Sequence, residues 1–122
     1  MQVVIVDTSV QILQRLEEML SGIKSVRNIY KAVTYEEAVE LCKENRISVV
    51  LLDSGLRDNG TINVLKYLKE TGTVAAIVVL STCYDDFILR ECISYNVDFI
   101  FDKYHEFYKI TGIINSIAAK QE

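Results

Sequence analysis

The feature that most constrains this chain is a regular alternation between two hydrophobic periods. Short continuous apolar runs lie at Val3–Val6, Val49–Leu52, Ala75–Leu80 and Phe99–Phe101. They are mostly rich in Val and Ile, as strands covered on both faces are. Arg27–Val33 is a weaker run with polar residues mixed in, which suits a less buried strand. Between these runs the spacing becomes helical. Ile12, Leu16, Met19, Leu20 and Ile23 make one apolar stripe, and Ile110, Ile113, Ile114 and Ile117 make another. Thr34 followed by Glu37 reads as a capping box that opens a helix through about Asn45. Ile62, Leu65 and Leu68 mark a further helix, and Ile88, Cys92 and Ile93 mark one more.

The order is strand then helix, repeated five times. Short connections and right-handed crossovers then predict an α/β fold: a doubly wound, five-stranded parallel sheet with helices on both faces. The 122 residues suit a single domain over 1–122, and half of them are hydrophobic, enough for a full core. Proline is absent, and there is no low-complexity tract or charge block to act as a linker.

Composition narrows the function. A net charge of -4 with scattered Lys and Arg disfavours a grip on nucleic acid and docking on an anionic membrane. The apolar run after Met1 is too short for a signal peptide or a membrane span, so the expected location is cytoplasmic. Cys42, Cys83 and Cys92 form no paired motif and fall in apolar or helical stretches. They read as small packing side chains in a reducing compartment.

In open parallel sheets the ligand site lies at the carboxyl ends of the strands. Those ends read Asp7-Thr8-Ser9, Asp53-Ser54-Gly55, Ser81-Thr82 and Asp102-Lys103. Taken singly, such an Asp is a turn or cap residue and such a Lys a solvated one. Their joint placement on one rim points to phosphoryl transfer onto a carboxylate. Aspartate is a nucleophile toward phosphorus. The transferring oxygens need a cation, a hydrogen-bond donor and a fixed positive charge. Asp7 and Asp53 offer carboxylates to Mg2+, Gly55 a main-chain carbonyl, Ser81 a hydroxyl and Lys103 an ammonium.

These residues resemble the CheY-like response-regulator receiver family over essentially the whole chain. VVIVDTS is similar to the family's first strand and acidic turn, and VVLLDSGLRDNG to its acceptor strand and loop. VVLST and DFIFDK align Ser81 and Lys103 with the family's hydroxyl and lysine, and the spacings from Asp53 match. FIFDKYHEFYKI further resembles small receivers with an FFDKS-type motif, many consisting of this domain alone. The resemblance implies a two-component switch, not an enzyme, with Asp53 as acceptor and Mg2+ as cofactor. Its implied partners are a sensor histidine kinase or phosphotransfer protein and a downstream protein target, without direct nucleic-acid or membrane contact.

Departures from the pattern matter. Thr8 replaces the second acid of the first loop, Arg57 replaces a common proline, and Ile100 stands where a switch aromatic is frequent. Tyr104 replaces the proline after the lysine, so a trans bond is expected there, since a non-prolyl cis bond costs about 2.5–4 kcal/mol. Phe99 and Phe101 flank Ile100, and strand alternation points both away from its face. Tyr95, Tyr104, Phe107 and Tyr108 are candidate partner contacts, with core packing the alternative for Phe107. Gly55 and Cys83 sit at rim positions that bear on water access.

Other readings fit less well. A pseudo-receiver would use the same fold as a phosphorylation-independent interaction module; the departures favour it, and the trio Asp53, Ser81 and Lys103 disfavours it. A haloacid-dehalogenase-like phosphatase with Asp7 as nucleophile lacks the second acid, because Ser9 stands two residues on. In a flavin binder, Asp7 would repel the phosphate.

Overall fold

A computed structural model describes residues 1–82 and 86–120. Its strands are β1 (Gln2–Val6), β2 (Asn28–Ala32), β3 (Val49–Asp53), β4 (Ala76–Ser81) and β5 (Phe99–Asp102). The helices are α1 (Val10–Ser21), α2 (Tyr35–Glu44), α3 (Gly60–Thr71), α4 (Asp86–Ser94) and α5 (Ile110–Lys120). A single 3-10 turn, Phe107–Lys109, leads into α5. The strands form one parallel sheet in the order β2-β1-β3-β4-β5. The expected architecture is therefore the observed one.

Burial follows strand position. Every residue of β3 and β4 is buried, as are Val3–Val6 of β1, whereas β2 and β5, at the edges, are mostly half-buried or exposed. That accounts for the mixed composition of the second strand. Strand alternation then sorts the core into two layers. Val3, Ile5, Val49, Leu51, Val78 and Leu80 pack with Leu13, Leu16 and Leu20 of α1 and Ile110, Ile114 and Ile117 of α5. Val4, Val6, Val50, Leu52, Ile77 and Val79 pack with Ala38 of α2, Val64, Leu65 and Leu68 of α3 and Cys92 of α4.

The helix starts obey local chemistry. Ser9 caps α1 by accepting from the Ile12 N–H at 3.3 Å, and Thr34 caps α2 by accepting from the Glu37 N–H at 3.2 Å. Glu37 reaches back as a capping box requires, but it accepts from the Val33 N–H, one residue before the cap. Two helical stripes differ in phase from the expectation. In α1 the buried seam is Leu13, Leu16 and Leu20, at i, i+3 and i+7, while Ile12 and Met19 flank it and Ile23 packs beyond the helix end. In α4, Cys92 is fully buried, and Ile93, a hundred degrees further round the helix, is 65% exposed.

Cys92 and the half-buried Cys42 are free thiols, and burial pushes Cys42 up to about 11, so it stays protonated at neutral pH. Cys83 lies outside the described residues. Among the described residues no helix is long and apolar enough to cross a membrane.

The β3–α3 loop leaves little freedom. Asp58 and Asn59 both adopt left-handed backbone, with φ of 56° and 60°, a conformation that Asn and Asp tolerate better than most residues. Gly60 follows at the first position of α3, where a Cβ would sit 2.9 Å from Leu56 Cβ. Gly60→Ala is therefore expected to cost about 1–3 kcal/mol, because backbone rather than a flexible side-chain tip must move. Urea denaturation should show a lower midpoint with an unchanged slope.

Candidate functional site

Parallel register brings the strand ends to one rim. Asp53 is the last residue of β3 and faces Leu80, and Ser81 closes β4 opposite Asp102 of β5. Asp7 follows β1 directly, its N–H donating to the Ala32 carbonyl at 3.0 Å. Lys103 follows β5, and its N–H donates to the Ser81 carbonyl at 2.8 Å. Asp7, Asp53, Ser81 and Lys103 are all buried. The sequence-predicted set thus meets in space.

An ammonium bridges the two carboxylates. Lys103 Nζ donates to Asp53 Oδ1 at 3.0 Å and lies 2.5 Å from Asp7 Oδ2. The Asp7 contact is an ion pair without aligned hydrogen-bond geometry, so Asp7 Oδ2 has no hydrogen-bond partner among the described residues. Asp7 Oδ1, in contrast, accepts from the Ser9 N–H at 2.8 Å, which ties the acid to the cap of α1. Burial raises the Asp53 pKa, repulsion from Asp7 adds to it, and Lys103 and the Gly55 amide oppose it. Burial also pulls Lys103 down, but its contacts with Asp7 and Asp53 outweigh this and hold it above its ordinary value.

Gly55 is exposed beside Asp53, and a Cβ there would lie 3.7 Å from Asp53 Oδ2, in ordinary contact. Its main-chain amide is the group found toward the Asp53 carboxylate. Thr8 is exposed and lines a groove of about 400 Å³ with Tyr35, Glu36, Arg57 and Asp58. The backbone contains no cis peptide bond among the described residues, so Lys103 meets Tyr104 through the expected trans bond.

The β5–α5 loop is organised by Asp102, a strand-end residue to which the sequence assigns no role, and by Glu106. Asp102 Oδ1 accepts from the N–H groups of Tyr104 at 2.9 Å and His105 at 2.7 Å. Those backbone bonds lower its pKa. Glu106 Oε1 accepts in turn from the Asp102 N–H at 2.9 Å. Phe107 is not a surface contact: it is buried in the α1–α5 layer, with the Arg15 guanidinium 4.1 Å from its ring centre. Tyr95 packs partly against the other layer, whereas Tyr104 and Tyr108 are 67% and 73% exposed. Phe99 and Phe101 stack at 6.0 Å on the α1–α5 side, and Ile100 packs on the opposite one.

Thr61 is the other residue that sequence reading missed. Its buried hydroxyl donates to the Asp53 carbonyl at 2.8 Å and accepts from the Leu56 N–H at 3.2 Å. It pins the backbone of Asp53 to the first turn of α3. Thr61→Val keeps the shape but strands a buried carbonyl and amide, an expected loss of about 1–3 kcal/mol that Thr61→Ser should largely restore. Chemical denaturation of the two variants checks this.

Asp53→Asn tests the electrostatics. The raised Asp53 pKa means that the folded state holds its proton to higher pH than the unfolded state does. Ionised Asp53 therefore weakens the fold at neutral pH, and the strain is relieved as pH falls through the folded pKa toward 3.8. The Asn variant should be the more stable at neutral pH, its advantage shrinking on acidification. Denaturant midpoints across that range measure the difference.

A family model described as the response regulator receiver domain matches residues 3–115. No curated protein sequence matches the chain. The N-terminal domain of an uncharacterized Wolinella succinogenes protein superposes with a TM-score of 0.89 at 16% identity, covering 99% of this chain and 96% of that one. The receiver domain of a Francisella response regulator gives 0.84 at 17% identity, covering 99% and 98%. The RcsB response regulator of Salmonella typhimurium gives 0.77 at 19% identity, and the match spans 95% of this chain but only 60% of that one.

Proposed function

The chain belongs to the response regulator receiver domain family of two-component signalling, and from that premise we propose that it is a phosphorylation-controlled switch with Asp53 as the acceptor. The observation that carries this reading is the Asp53 carboxylate at the rim, 3.0 Å from the Lys103 ammonium and one strand from Ser81. A purely structural cap has no need of that combination.

An Asp53 oxygen attacks the phosphorus of a phosphohistidine on a sensor kinase or phosphotransfer protein. The P–N bond breaks, the imidazole leaves with a proton, and an acyl phosphate forms. Lys103 supplies fixed positive charge to the phosphoryl oxygens, and the Ser81 hydroxyl donates to one of them. Thr61 and the Gly55 amide hold the acceptor in place.

Receiver domains bind Mg2+ at an acidic pocket. Two carboxylates, one with a buried oxygen that makes no hydrogen bond, are the hard donors that this ion takes. Asp7 and Asp53 would hold it, with the Gly55 carbonyl as a third oxygen, and it would neutralise charge on the transferring group. Output is read as protein contact with a downstream target, with exposed Tyr104 and Tyr108 beside the site. We take residues 1–122 as one receiver domain, cytoplasmic, and a signalling acceptor rather than an enzyme.

One observation favours the alternative, a phosphorylation-independent interaction module: the neutral Thr8 leaves the metal pocket one acid short. Acetyl phosphate with magnesium separates the two. Intact mass should gain one phosphoryl group on wild type and none on Asp53→Asn, and backbone amides near Asp53, Ser81 and Lys103 should shift with beryllofluoride. An unmodified wild type with an unchanged amide spectrum would leave the interaction module standing.

A further inference from the structure

The amino ends of β1, β2 and β3 meet at the edge of the sheet opposite Asp53, roughly 15 Å from it along short strands. A cavity of about 330 Å³ opens there, lined by Met1, Gln2, Arg27, Asn28, Arg46 and Ser48. Two guanidinium groups line it and no carboxylate does. Parallel pairing brings the arginines together. Arg27 stands just before β2, and its N–H donates to the Met1 carbonyl at 2.8 Å. Arg46 stands shortly before β3, and its carbonyl accepts from Gln2 Nε2 at 2.8 Å. Since β1 lies between those two strands, the arginines flank its start.

Polar bonds fix the floor of this cavity and occupy its main side-chain acceptor. Gln2 Oε1 accepts from Asn28 Nδ2 at 3.0 Å and from the Tyr30 hydroxyl at 2.9 Å, which fills both lone pairs. The two guanidinium groups, in contrast, form no ion pair and no hydrogen bond among the described residues. The chain has 17 acids against 13 Lys and Arg, yet none lines this cavity. Two like charges at one small concavity repel each other, and an anion between them removes that cost. A guanidinium presents paired N–H donors that match two phosphate oxygens. A phosphomonoester is close to doubly negative at neutral pH, which balances two arginines. The volume is at the small end of ligand sites, too little for a folded segment of a partner. We infer that Arg27 and Arg46 form a binding site for the phosphate group of a small molecule, with the second Asn28 amide hydrogen and the Ser48 hydroxyl as further donors.

The test is an NMR titration of the full chain with sodium phosphate and, separately, with glycerol 3-phosphate, at ionic strength held constant with sodium chloride. In wild type the amides of Arg27, Asn28, Arg46 and Ser48 should move with one saturating midpoint, while those of Asp53 and Lys103 stay still. Arg27→Gln and Arg46→Gln should each weaken binding about tenfold, the loss of one charged hydrogen-bonding partner. The double variant should show no saturation. Lys66→Gln, which removes a charge from α3 outside the cavity, should bind as wild type does. Both arginines are exposed, and the bonds that hold them use main-chain atoms, so the variants keep the fold and should melt with wild type.

The two probes separate the sources of the anion. Tighter binding of glycerol 3-phosphate assigns the site to an organic monoester, and equal binding assigns it to free phosphate; each supports the inference. Shifts that never saturate, or a midpoint unchanged in the double variant, overturn it. Saturable shifts with a polyglutamate peptide and none with either phosphate overturn it as well, and make the patch a docking point for an acidic protein segment. Neither probe transfers a phosphoryl group to Asp53, so the outcome is independent of the acceptor reading.

Discussion

The rim of this molecule depends on one ammonium wedged between two buried carboxylates. Asp7, Asp53 and Lys103 come from the ends of three different strands, so their contact also couples β1, β3 and β5. Removing one partner of a buried pair costs about 3–5 kcal/mol, because the charge left behind has neither water nor a counter-ion. Here the arrangement is a triad with one charge in excess. Asp53 is consequently held in a charged state that taking up a proton would relieve. Chemical readiness and local instability are the same property at this acid.

Everything around the triad serves to keep it in register. The sheet order places β1 and β3 side by side and sends their following helices to opposite faces, which opens the crevice above Asp7 and Asp53. Ser9 fixes Asp7 from the α1 side, Thr61 fixes Asp53 from the α3 side, and the Asp102–Glu106 contacts shape the turn that carries Lys103. Each support comes from a helix start or the turn after a strand. The rigid sheet provides the positions and the loops provide the polar groups.

Much of this was legible in the sequence, because strand-end residues follow directly from where apolar runs stop. Asp7, Asp53, Ser81 and Lys103 were visible for that reason, and the trans bond before Tyr104 follows from the missing proline. Helical phase was harder. Counting isoleucines placed Ile93 on the buried face of α4 and passed over Leu13 in α1, since periodicity alone does not say which of two adjacent apolar residues points inward. Thr61 was invisible because its partner is a carbonyl eight positions earlier, reached only once the loop has closed. Nor does composition reveal that Phe107 is roofed by Arg15 rather than offered to a partner.

The place of β1 in the sheet carries a consequence for how the chain is made. β1 is an inner strand that pairs with both β2 and β3, and the Met1 ammonium and carbonyl are already engaged by Ser25 and Arg27. β1 therefore lacks one of its two neighbours until the chain has been extended through Asp53. Since parallel pairing is non-local and slow to form, this apolar strand keeps one edge open until β3 has been made. On this topology, the strand that ends in Asp53 is also the one that closes the open edge of β1.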